Sequence, residues 1–156
     1  MAAPALLTEN TAMQVVERSA LVSYTASQMF ALVNDVSRYP EFLPWCVGAQ
    51  VHELSATERT ATLKVARGVL QAEFTTLNQL TPDARIKMRL THGPFRDLNG
   101  EWRFDDIGAR GSRVHFRIEF EFKNRLTAAA FTPGFEALCG TIVDAFALRA
   151  REVYSP

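Results

Sequence analysis

Residues 124–154 read NRLTAAAFTPGFEALCGTIVDAFALRAREVY, and this stretch decides the fold. Phe131, Phe135, Leu138, Ile142 and Phe146 recur in steps of four, three, four and four. That spacing is one stripe of a 3.6-residue helix. Cys139, Val143, Ala150 and Val153 widen the stripe, and Glu136, Asp144, Arg149, Arg151 and Glu152 take much of the rest. A long helix with so broad an apolar face must be covered. The only cover available is the β-rich run before it. Asn124 suits the N-cap. Pro133 and Gly134 interrupt early, and two readings stay open. One is a kink after the first turns; the other is a fresh start with Thr132 as N-cap and Pro133 at the first helical position. The stripe itself reads either as core packing or as the lid of a ligand cavity.

Working outward, the period is two. In the run before the helix, Val114, Phe116, Ile118, Phe120 and Phe122 alternate with Arg113, His115, Arg117, Glu119 and Glu121. Earlier, Leu98, Trp102 and Phe104 alternate with Glu101, Arg103 and Asp105, and Ile86, Met88 and Leu90 with Arg85, Lys87 and Arg89. Val47, Ala49 and Val51 alternate with polar or small partners, as do Ala61, Leu63 and Val65, and Phe74 lies in a further strand ending near Leu80. Such strands form an antiparallel sheet with one wet side. Thr81, Pro82 and Asp83, then His92, Gly93 and Pro94, then Gly108 and Gly111 mark the turns.

The opening reads as a first strand over 13–24, MQVVERSALVSY. Thr25 and Gln28 then make a capping box, with Tyr24 and Met29 at the staple positions. Met29, Phe30, Val33 and Val36 give that helix its apolar side, and Asp35 and Ser37 mark its end or a second short helical turn. In YPEFLPWC, residues 39–46, two prolines four apart forbid a continued helix or a central strand. Tyr39, Phe42, Leu43 and Trp45 are therefore large apolar groups on an irregular segment. They plug one end of the core, rim a pocket mouth, or dip into a membrane surface. The order is strand, two short helices, about six strands, long helix. A curved sheet with a helix across its concave face fits it, and concave apolar sites are where small molecules bind.

At 156 residues the chain reads as one domain over 13–154, with a mobile tail over 1–12 and Met13 as an alternative start. It is ordinary for a soluble protein, with 47% hydrophobic and 22% charged residues, although eleven Phe point to an aromatic interior. A formal net charge of zero gives no global field to draw in nucleic acid or membrane. Cys46 and Cys139 are neither a disulfide framework nor a zinc pattern, and read as reduced thiols in a cytosol. No apolar run approaches the roughly 20 residues of a membrane span, and the first twelve residues lack the basic start of a signal peptide.

Two segments resemble a known family. YPEFLPWC after a strand–helix opening is similar to the coenzyme Q-binding START-domain family, within the polyketide cyclase/lipid transport superfamily. Gly93-Pro94-Phe95, followed by Leu98 and Gly100-Glu101-Trp102-Arg103-Phe104, resembles its second signature. Phe120-Glu121-Phe122 and Ala145-Phe146 with Arg149-Ala150 fit too, and the likeness covers 13–154. The closing REVYS, residues 151–155, resembles the bacterial branch called ribosome-association toxins. The resemblance implies an α+β helix-grip (START-like) fold: about seven antiparallel strands curved around the last helix, with two short helices after strand 1. It also implies an apolar tunnel for ubiquinone or a similar isoprenoid lipid in support of respiratory quinone function, with no cofactor. For the bacterial branch it implies a toxin of a toxin–antitoxin pair that binds the large ribosomal subunit and blocks subunit joining.

Catalysis needs an acid and a base in reach of the reacting atoms. The alternation turns the charged residues outward and leaves an inner face of Val, Ile, Leu, Met, Phe and Trp. Asp105 and Asp106 read as a solvated turn, and His52, His92 and His115 are not at metal-ligand spacings. The chain is therefore read as a monomeric, non-catalytic carrier in the cytoplasm, touching the inner-membrane surface where lipid is exchanged. The candidate ligand contacts are Phe42, Trp45, Met88, Leu90, Phe95, Trp102, Phe104, Phe116, Phe135, Leu138 and Ile142. Arg85, Lys87 and Arg89 form a short outward stripe that can track RNA phosphates. Acids share that face, so ribosome association ranks here as the alternative.

Overall fold

The computed structural model describes residues 13–155; the tail expected over 1–12 lies outside the described residues. Strand β1 (Gln14–Val22) leads into α1 (Ala26–Asn34) and a 3-10 helix (Val36–Glu41). Six strands follow: β2 (Cys46–Glu53), β3 (Glu58–Arg67), β4 (Leu70–Thr81), β5 (Arg85–His92), β6 (Phe95–Ile107) and β7 (Gly111–Phe122). Helix α2 (Arg125–Tyr154) closes the chain. The strands form one sheet in the order β1-β7-β6-β5-β4-β3-β2, every pairing antiparallel. Helix α2 touches β1 at one edge and β3 close to the other. Five strand spacings of about 4.8 Å separate those two, and a helix is only about 10–12 Å across. A flat sheet cannot make both contacts, so the sheet curls around the helix in a helix grip.

The capping box is present: Gln28 N–H donates to Thr25 Oγ1 at 3.1 Å and Thr25 N–H to Gln28 Oε1 at 2.9 Å. Asp106 is not a merely solvated turn residue. Its Oδ1 accepts from Ala26 N–H at 2.8 Å, which places a carboxylate on the N-terminus of α1. The prolines of 39–46 do not exclude helix altogether, because Pro40 lies within the 3-10 turn. Nor does Pro133 divide α2. Asn124 caps one continuous helix, its Oδ1 accepting from Thr127 N–H at 2.8 Å. The missing N–H of Pro133 costs one bond near an exposed end, where Leu126 is 85% exposed.

Helix α2 buries Phe135, Leu138, Cys139, Ile142, Val143, Phe146 and Ala150, while Val153 stays half-exposed. By length and a mean hydropathy of 1.3 this helix would qualify to cross a bilayer, contrary to the reading of the bare sequence. Its apolar stripe is instead covered by the sheet. Its C-terminal end is fastened: Tyr154 Oη donates to Gln28 O at 2.8 Å, and Arg149 meets Glu41 at 3.0 Å with its guanidinium 4.8 Å above the Phe42 ring. The period-two reading fails at one place. A bulge between Cys46 and Gly48 shifts the parity of β2, so Cys46 is buried and Val47 stands 62% exposed.

Candidate functional site

Between the concave face and α2 lies a cavity of about 70 Å³. Trp45, Met88, Trp102, Phe116, Phe135, Leu138 and Ile142, all expected at the ligand, line it. Phe42, Leu90, Phe95 and Phe104, equally expected, do not. Phe95 is walled off in an aromatic cluster, its ring 4.4 Å from Phe122 and 5.1 Å from Phe135. Phe104 turns edge-on to Phe30 of α1 at 5.7 Å. Phe42 packs on Phe146 at 5.3 Å beneath Arg149. Leu90 is half-buried beside an irregularity in the β4–β5 pairing. Parity puts Leu90 and Phe104 on the inner face, and the register shift between Phe95 and Asp97 turns Phe95 there as well, but that face is wider than the cavity.

The membrane-dipping reading of the proline segment is corrected by burial. Leu43 is fully buried, Trp45 is 7% exposed, and Phe42 is covered by the cation above it. The segment plugs one end of the core, and Trp45 adds part of the cavity wall.

The inner face also holds what the alternation of the clear strands did not reveal. Thr76 and Asn78 of β4 line the cavity at 5% and 4% exposure, with Thr76 Oγ1–H donating to Asn78 Oδ1 at 2.6 Å. Their signal was parity: Phe74, Thr76, Asn78 and Leu80 occupy alternate positions. Cys139, Tyr39 and the indoles of Trp45 and Trp102 carry the other polar atoms of the lining. Burial pushes both the Cys139 thiol and the Tyr39 phenol well up from their ordinary values, so both stay protonated near neutral pH. Tyr39 Oη donates to the Val33 carbonyl. The cavity thus offers hydrogen bonds and apolar surface, with no ionised group in its wall.

A second concavity of about 340 Å³ lies on the outer face of the sheet. Lys87 and Arg89 of β5 line it with Gln79, Asn99, Glu101 and Arg117. Arg85 lies outside it and is paired with Glu101 at 3.1 Å. Arg117 is paired with Glu119 on its own strand. Glu101 and Glu119 are thus engaged by Arg85 and Arg117, and Glu121 lies 3.8 Å from Arg96. Among the described residues Lys87 and Arg89 have no acidic partner.

Relatives agree with this architecture. A ribosome association toxin RatA of Vibrio cholerae is 46% identical over 142 residues, covering 91% of this chain and 99% of that protein. The mitochondrial coenzyme Q-binding protein COQ10 of Drosophila melanogaster is 29% identical over 141 residues, covering 87% of this chain and 58% of that one. Among solved structures, an 18 kDa protein of Caulobacter crescentus is 32% identical at a TM-score of 0.72, covering 92% of this chain and 99% of that one. The Zhui aromatase/cyclase of Streptomyces sp. R1128 superposes at a TM-score of 0.77, covering 92% and 97%. At 20% identity that likeness speaks for the fold alone. The sequence profile described as polyketide cyclase / dehydrase and lipid transport matches residues 22–147. With its seven-stranded grip around α2, the chain belongs to the polyketide cyclase / dehydrase and lipid transport family.

Proposed function

We propose that this protein associates with the ribosome as a toxin-like factor, engaging the large subunit through the outer face of its sheet and hindering subunit joining. The observation that carries this reading is the near full-length similarity to a protein named for ribosome association, 46% over 142 residues. It reverses the order in which the bare sequence ranked carrier and ribosome factor. The geometry supports it at Lys87 and Arg89. Acids share the face, but Glu101, Glu119 and Glu121 are paired with Arg85, Arg117 and Arg96, and Asp105 stands opposite Arg113. Two uncompensated cations in an open groove are suited to phosphates, and such contacts release counterions.

The test is co-sedimentation with purified large subunits across a salt series, using a Lys87→Glu/Arg89→Glu double variant. Both side chains are exposed, so the fold is expected to be unaffected. Losing two phosphate contacts should lower the slope of log affinity against log salt by about 1.5 and abolish binding at physiological salt. Arg85→Glu alone should do less. A double variant that sediments like the wild type would refute this use of the face.

The apolar cavity favours a second reading, that the protein holds an apolar ligand beneath α2. The Drosophila relative named for coenzyme Q binding is consistent with it. At about 70 Å³ the cavity is far below the roughly 300–1,000 Å³ of pockets for drug-sized ligands. An isoprenoid quinone would therefore need α2 or the plug at 42–45 to move. Organic extraction of the purified protein followed by mass spectrometry tests this reading directly.

A further inference from the structure

We propose that Thr76 and Asn78 form a hydrogen-bonding subsite that receives the carbonyl oxygen of an apolar ligand entering the cavity. The proposal deepens the second reading above, that the cavity takes an apolar ligand, and rests on it. It starts from an imbalance. Asn78 is 4% exposed on a wall otherwise built mainly from aliphatic and aromatic side chains. Its Oδ1 is satisfied by the Thr76 hydroxyl at 2.6 Å. Its Nδ2 has no acceptor among the described residues. The enclosed unpaired side-chain polar atoms among the described residues are Arg59 Nε and Ser112 Oγ. The Asn78 Nδ2 is therefore not sealed in but reaches the cavity space, and polar groups on a buried wall are as a rule paired. With Oδ1 turned to the hydroxyl, the Nδ2 end of the amide is the one left to the open space. The site therefore offers donors, and the ligand must bring the acceptor.

The surroundings fit a built site. The pair sits where the β4–β5 register shifts between Thr75 and Thr76, and Thr91 Oγ1 donates to Thr75 O at 3.1 Å across that irregularity. Bulges of this kind re-aim side chains next to functional sites. Asn78 is registered opposite Met88, and Met88 opposite Gly100, so the three lie in one row across the inner face. A Cβ on Gly100 would lie 2.9 Å from Met88 Cε; the absent side chain is where the Met88 tip rests. A flexible thioether beside the amide gives the wall room to adapt. The cavity excludes charge as well: its Cys139 and Tyr39 stay neutral, so an anionic ligand has no counter-ion there. An uncharged apolar molecule with one carbonyl acceptor is the class that fits.

The test uses a matched pair of small probes on the full chain: acetophenone, and α-methylstyrene, in which C=CH₂ replaces C=O at nearly the same shape. Acetophenone should move the Asn78 side-chain amide signals downfield in ¹H–¹⁵N spectra, and α-methylstyrene should not. Asn78→Leu, close in volume and apolar, should lower the ketone-to-hydrocarbon affinity ratio about tenfold, the loss of one buried hydrogen bond. Thr76→Val, which releases Oδ1, should lower it in part. If Asn78→Leu does not fold, the contrast between the two probes on the wild-type amide signals decides. Both probes binding with a ratio indifferent to Asn78 would overturn the subsite while leaving the cavity reading intact. Neither probe binding, or amide protons contacting water alone in saturating ketone, would overturn the subsite, and the first of these would remove the cavity reading with it.

Discussion

Replacing Phe135 by Ala tests the packing on which the grip depends. Phe135 is 2% exposed. Its ring lies 4.7 Å from Phe120, 5.1 Å from Phe95, and 5.9 Å from both Phe74 and Phe122. Those four partners come from β4, β6 and β7, whose positions are held by ladder hydrogen bonds, so they cannot follow the lost ring. A buried Phe→Ala change costs about 3–5 kcal/mol, and edge-to-face pairs carry about 0.5–1.5 kcal/mol beyond area burial. Partners that cannot collapse place the loss near 4 kcal/mol, within that range. At about 2–4 °C per kcal/mol for a chain of this size, the melting temperature should fall by roughly 8–16 °C. In urea the midpoint should drop with the m-value unchanged.

The new hole opens onto the existing cavity, and an engineered apolar cavity of about 150 Å³ takes up benzene. Benzene at ten times its Kd should return about 1.4 kcal/mol to the variant, or roughly 3–6 °C, and at the same concentration raise the wild type less. A loss below about 1.5 kcal/mol, far under the usual cost, with no benzene effect would refute the reasoning. It would mean that the grip closes over the missing ring.

Three further outcomes follow from the same core. Gly100→Ala would place a Cβ 2.9 Å from Met88 Cε and 3.3 Å from the Arg117 carbonyl, and should cost about 1–2 kcal/mol; an unchanged urea midpoint together with an unshifted Met88 methyl resonance would contradict it. Cys46 and Cys139 are 3% and 2% exposed with thiols raised by burial, so neither should react with a thiol reagent at neutral pH until the protein unfolds. The sign of the pH effect follows. Groups whose folded values are raised contribute stability in full below their ordinary values, 9.0 for Cys139 and 10.0 for Tyr39, and lose it as the pH climbs above them. Urea midpoints should therefore be flat from pH 7 to about 8 and fall above about 9; a midpoint that rises there would show that these groups are not buried.

The sheet was legible because its inner face is written in a period of two. Ile86, Trp102, Phe104, Val114, Phe116 and Phe120 are all buried as alternation requires. Parity failed at Val47, which the bulge beside it turns outward while Ala49 and Val51 keep their places against the core. It also said nothing on how wide the cavity is. Phe95 and Phe104 face inward like Trp102, yet other rings fill the space before them. The proline segment was legible as irregular, but its depth was not. Whether Leu43 and Trp45 turn inward depends on what α2 presents to them. The basic stripe was legible as three alternating cations, and only the pairing of Arg85 with Glu101 separates it into one engaged and two open charges.

The amino-acid sequence by itself determined the elements, their order and the helix that the sheet must cover. Those follow from the 3.6 and 2.0 periods and from local capping, which act within a few residues. The tertiary structure decided the rest: a cavity of about 70 Å³ in place of an open tunnel, the Thr76–Asn78 pair in its wall, and the two uncompensated cations on the opposite face. Cavity size and charge pairing are set by side chains from strands and helices far apart in the chain, and their distances exist only once the sheet has curled around α2.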